Sequence, residues 1–124
     1  MNALAFLAVA IGGGLGAALR LLVDGSINTG REYRLPVGTL IINITGSLLL
    51  GLITGLSAHL GALPVEILGT GVMGGYTTFS AASFETVRLA RNGRINAAAL
   101  HGLGMLIVSV AASATGIVLG TCDF

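Results

Sequence analysis

Charge is what this chain has least of. Only 9% of its 124 residues are charged, against about a quarter in an ordinary soluble domain, and mean hydropathy is +0.95. A chain this poor in ionised side chains reads as an integral membrane protein. Lysine and tryptophan are absent, so all six basic residues are arginines. A net charge of +1 without any basic run gives no reason to expect a nucleic-acid partner, and leaves the arginines as topology signals. The one cysteine, Cys122, excludes an internal disulfide and has no ligand-forming neighbour. The two prolines, Pro36 and Pro64, both fall between apolar runs.

What is present is four apolar runs, each near the roughly 20 residues that a helix needs to cross the hydrocarbon. They extend over about 2–23, 37–58, 66–89 and 95–121. The expected fold is therefore all-α integral membrane, with four transmembrane helices in a single unit, 1–124. The first run is too long, and lacks the positive flank, for a cleaved signal peptide, so it is expected to stay as a span. Glycine is abundant, at twenty residues, and Gly12 with Gly16, Gly51 with Gly55 and Gly116 with Gly120 make faces on which helices pack closely. Four thin helices enclose little, so oligomerisation is expected.

Polar residues inside the runs carry the functional information, because burying them without partners is costly. Thr39, Asn43 and Ser47 recur every four residues along one helix face, and Ser109 and Ser113 repeat the device in the last run. A hydroxyl can bond its own helix carbonyls. The Asn43 amide cannot, and needs either a partner helix or a wet cavity. Neutral hydroxyl and amide donors suit a small anion that must be partly dehydrated and then released. The third run contains "GGYTTFSAASFE" at 74–85, whose paired glycines and β-branched threonines predict a break at 74–78. Carbonyls freed by such a break suit a cation, and Phe79 can offer an anion its positive ring edge or can simply be packing bulk.

Three motifs in order, "GGGLGAALR" at 12–20, "GTLIINITGSLLLG" at 38–51 and "GGYTTFS" at 74–80 followed by Glu85, make the chain resemble the CrcB or Fluc family of fluoride channels over its whole length. The resemblance implies an antiparallel, dual-topology dimer in the cell inner (plasma) membrane. Two pores would carry fluoride out of the cytoplasm, where hydrogen fluoride that entered uncharged has dissociated. It implies Asn43 and Phe79 on the ion path, with Ser80, Ser109, Ser113 and Thr39 beside it. It implies Arg20 and Glu85 at a vestibule, and a central structural sodium ion (Na+) held by the carbonyls of Gly74 and Thr77 from both subunits.

The sequence also departs from the family pattern. Where members read TTFSTFS, this chain has Ala81 for a threonine and Ala82 for the second phenylalanine, while Phe84 falls on a different helix face. Arg20, Arg31, Arg34, Arg88, Arg91 and Arg94 all fall on one side of the expected topology, which predicts one fixed orientation with both termini outside. The partner is therefore either a second copy or an antiparallel sister subunit that supplies the missing ring. The alternatives are a small multidrug-type proton-coupled exporter or a structural membrane subunit. The former needs a carboxylate deep in the membrane, whereas Asp24, Glu32, Glu66, Glu85 and Asp123 all fall at or near span ends. The latter leaves the polar stripes unexplained. No enzyme activity is expected: neither His59 nor His101 has a nucleophile or a metal-ligand set beside it, and His101 reads as a hydrogen-bonded packing residue.

Overall fold

A computed structural model describes residues 2–28 and 37–122. Arg31, Glu32, Arg34 and Asp123, used above in the charge argument, lie outside the described residues. Those described form no strand, and the protein is an all-α, multi-pass membrane protein.

Three helices are long and apolar enough to cross a bilayer: α1 (Ala3–Asn28), α2 (Val37–Gly55) and α7 (Ile95–Thr121). The Asn2 side chain caps α1 by accepting from the Ala5 amide at 2.8 Å. α7 has the expected bounds. α1 runs past Val23, and α2 stops at Gly55, because the chain turns there through two single-turn helices, α3 (Ser57–Leu60) and α4 (Ala62–Val65). Gly61 joins those two at φ +84°, a left-handed conformation that glycine alone adopts freely.

The third apolar run is not one helix. Its first half, Glu66–Met73, is wound in π-helical turns. α5 (Gly74–Tyr76) follows, then two extended residues, Thr77 (φ −79°, ψ 159°) and Thr78 (φ −147°, ψ 123°), and then α6 (Phe79–Arg91). The expected break at 74–78 is therefore present but narrower, since Gly74 and Gly75 remain helical. Gly75 serves packing instead: a Cβ on it would collide with the Gly13 carbonyl of α1.

The same close approach repeats along two seams. α2 lies against α7 with Gly51 facing the Ser113 carbonyl and Gly116 facing the Leu48 carbonyl. A Cβ on Gly55 would sit 2.5 Å from the Ile117 oxygen, and one on Gly120 would sit 2.6 Å from the Leu52 oxygen. α1 lies against the π-helical segment, with Gly16 facing the Val72 carbonyl and a Gly12 Cβ only 3.1 Å from the Ile67 oxygen. Each glycine pair expected to pack a helix does so. Ile42, Met73 and Tyr76 form a small buried core between these layers, and Tyr76 is fixed by a 3.0 Å hydrogen bond between its hydroxyl and Thr45 Oγ1. The outer faces of α1 and α7 expose long apolar side chains such as Leu21 and Ile107, as lipid or a second subunit requires.

Candidate functional site

The break is held by one side chain. Asn43, buried on α2, donates from Nδ2 to the Thr78 carbonyl at 2.8 Å and accepts at Oδ1 from the Thr78 amide at 2.9 Å. Its amide thus pairs with extended backbone as a neighbouring strand would. Nδ2 also contacts the Met105 sulfur of α7 at 3.1 Å, which commits both amide protons. Asn43 therefore finds its partners in the backbone of the third run and the Met105 sulfur of α7.

This clamp changes which carbonyls are satisfied. In a continuous helix the Thr78 amide would bond the Gly74 carbonyl; here it bonds Asn43. The Ala81 amide likewise bonds Thr78 Oγ1 at 3.2 Å, capping α6, instead of the Thr77 carbonyl. The oxygens of Gly74 and Thr77 are thereby released from helical bonding. Gly74 is exposed, and a Cβ on it would meet only the Gly69 carbonyl oxygen, at 3.9 Å. Hard, neutral carbonyl oxygens of this kind fit a sodium ion. Among the described residues no group of three or more His, Cys, Asp or Glu could hold a metal, and a carbonyl site needs none.

Beside the break a cleft of about 560 Å³ opens between α2, α6 and α7. Its polar wall is made of Asn43, Ser47, Thr77, Thr78, Ser83, Thr86 and Ser109, all neutral. Ser109 Oγ is buried and has no hydrogen-bond partner, so its donor is unspent. Thr86 spends its own on the Ala82 carbonyl at 2.8 Å. Ala82 also borders the cleft, where a larger side chain would fill space, and Phe79 stands at its rim, 87% exposed.

Of the residues singled out from sequence, Asn43, Ser47, Thr77, Phe79, Ala82 and Ser109 border this cleft, while Arg20, Thr39, Gly74, Ser80, Glu85 and Ser113 do not. Ser80 is exposed outside it. Ser113 presents its backbone to Gly51. Arg20 is half-buried on α1 with an unpartnered Nε. Thr39 donates to Glu85 Oε1 at 2.9 Å, and His101 Nε2 lies 3.5 Å from Glu85 Oε2. Phe84 is 67% exposed and away from the cleft, in keeping with its displaced position in the motif. Sequence reasoning passed over Ser83, Thr86 and Met105. The first two follow Phe79 at four and seven residues, the spacing of one helix face, whereas nothing in the sequence pointed to Met105.

Comparison with known proteins bears on what this arrangement belongs to. The family model of the CrcB-like proteins, described as "Camphor Resistance (CrcB)", matches residues 7–120. The chain belongs to the CrcB-like family. A Leifsonia xyli protein named fluoride-specific ion channel FluC 1 is 50% identical over 97% of this chain and 89% of its own length. A Cutibacterium acnes protein named fluoride-specific ion channel FluC 2 is 49% identical over 91% of this chain and 94% of its own. A third such relative, from Nitrobacter hamburgensis, is 41% identical over 92% and 94% respectively. The likeness spans the whole CrcB-like fold, from α1 through α7.

Proposed function

We propose that the chain is a subunit of a fluoride-selective channel that releases fluoride from the cytoplasm. The observation that carries this reading is the Asn43 clamp beside a cleft walled by neutral hydroxyls, taken with the names of the relatives. A small anion gives up part of its hydration shell only where fixed donors replace it, and leaves again only if no full positive charge traps it. Ser109 has such an uncommitted hydroxyl, and Ser47 and Ser83 share its wall. Asn43 acts in this arrangement by shaping the path, since its own amide protons are engaged. Phe79 at the rim adds a ring edge with positive character.

The cleft is open on one side, so a second subunit is needed to enclose it. The reading is an antiparallel dimer, either of two copies or of this chain with an oppositely biased sister subunit that brings a ring to the space beside Ala82. A sodium ion at its centre would be held by the carbonyls of Gly74 and Thr77 from both subunits, and its charge would fix the two breaks against each other.

Ion-selective efflux from liposomes tests the proposal. Vesicles holding the chain, alone or with a family subunit of opposite charge bias, should release fluoride far faster than chloride. Equal release of the two anions, or no fluoride release in either arrangement, would overturn it.

A further inference from the structure

Two turns along α6 from the break, a second polar junction ties three helices together. Thr39 of α2 donates to Glu85 Oε1 at 2.9 Å, and His101 of α7 places Nε2 3.5 Å from Glu85 Oε2. The His101 side chain is 1% exposed and that of Glu85 19%. Neither Glu85 Oε2 nor His101 Nε2 has a closer hydrogen-bond partner. Two buried acceptor atoms facing each other repel, so this pair is stable only with a proton between them.

The geometry points to His101 as a positioning residue that holds the Glu85 carboxylate and, by gaining or losing a second proton, sets the charge that fluoride meets beside the cleft. This inference rests on the channel reading above. Glu85 lies on α6 between Ser83 and Thr86, both of which form the cleft wall. With a neutral imidazole the junction carries a full negative charge, which opposes an anion. With an imidazolium it carries none. Among the described residues the elements packed around Glu85 do not alter that sign: α2 offers the neutral Thr39 hydroxyl, while the charges of Asp24 on α1 and Arg88 on α6 oppose one another. Fluoride passage should therefore be faster in the acidic range and slower once the imidazole is neutral. Histidine is the side chain whose charge changes within that range.

The test is the pH profile of fluoride efflux from liposomes between about pH 5.5 and 8, with protein-free vesicles subtracted at each point. The wild-type rate should fall roughly threefold to tenfold across the range, the scale of one charge near the path in a medium of intermediate dielectric. His101→Gln keeps an N–H donor toward Oε2 but cannot titrate, so its profile should be flat and near the wild-type alkaline rate. A flat wild-type profile, or one unchanged in His101→Gln, would overturn the inference. Should that variant fail to fold, nitrogen NMR of ¹⁵N-histidine in the wild-type protein and in Glu85→Gln gives a second reading. The His101 midpoint should move when the carboxylate is removed, and an unmoved midpoint would equally overturn the pairing. A wild-type protein that passes no fluoride at any pH fails the channel reading instead, and the NMR comparison still decides whether the pair exists.

Discussion

Replacing Asn43 with leucine keeps a side chain of similar size in the α2 position and removes every polar contact it makes. The Thr78 amide and carbonyl then lose their partners at 2.9 and 2.8 Å. A buried backbone group left unmet costs about 1–3 kcal/mol; Thr78 is half-buried beside the cleft, so the pair places about 2 kcal/mol, the low end, on the broken conformation. The chain can escape that cost by winding the third run back into helix, which returns the Thr78 amide to the Gly74 carbonyl. Doing so turns Phe79 and the α6 residues of the cleft out of place. Either outcome should slow fluoride efflux by at least about thirtyfold, the equivalent of 2 kcal/mol at 1.4 kcal/mol per factor of ten. Assembly should survive, because the seams between α2 and α7 and between α1 and the third run are built from glycines and do not involve Asn43. Efflux from liposomes and size-exclusion chromatography of the purified protein measure the two effects separately. A leucine variant with wild-type efflux would refute the assignment of Asn43 to the path, and one with unchanged thermal stability would refute the clamp.

Three further outcomes are expected. Protein prepared without sodium should lose activity that lithium or potassium restores poorly, as followed by efflux after reconstitution in each salt; equal activity in all three would remove the ion from Gly74 and Thr77. Gly116→Leu should prevent folding, because even a Cβ there would press on the Leu48 carbonyl and lie 2.6 Å from the Leu52 amide nitrogen; a monodisperse variant with normal stability would contradict the packing of α2 on α7. Expressed alone, the chain should give weak or no fluoride resistance, with a C-terminal reporter active on one side of the membrane only. Robust resistance with reporters active on both sides would establish the two-copy dimer and make Ala82 a tolerated variation.

The continuous spans were legible because lipid leaves a long apolar run few alternatives, and α7 has the bounds its composition implied. The break was legible in kind, from paired glycines and threonines, but its position was not. Gly75 stays helical where α1 packs on it through Gly13, a contact between residues some sixty positions apart in the chain. The π-helical turns at Glu66–Met73 left no sign, since pattern reading assumes 3.6 residues per turn and this segment departs from that period. For Asn43 the need for a partner could be read and the partner could not, because a backbone amide looks the same at every residue. The pairing of His101 with Glu85 was hidden likewise. Each looked ordinary alone, one as a packing residue and one as a span terminus.

The glycines make the folded chain readable by genetics. Every single-nucleotide change at a glycine codon that alters the residue adds at least a Cβ, so a complete alanine scan of these positions would trace the helix seams without any diffraction. Within one chain, intolerance should fall at Gly16, Gly51, Gly75, Gly116 and Gly120, where backbone lies in the way, and spare Gly14, Gly25 and Gly104, which have nothing within 4 Å. Should selection for fluoride resistance in living cells reject alanine at Gly14 or Gly104 as well, the surplus positions would outline the footprint of whatever sits against this chain in its membrane.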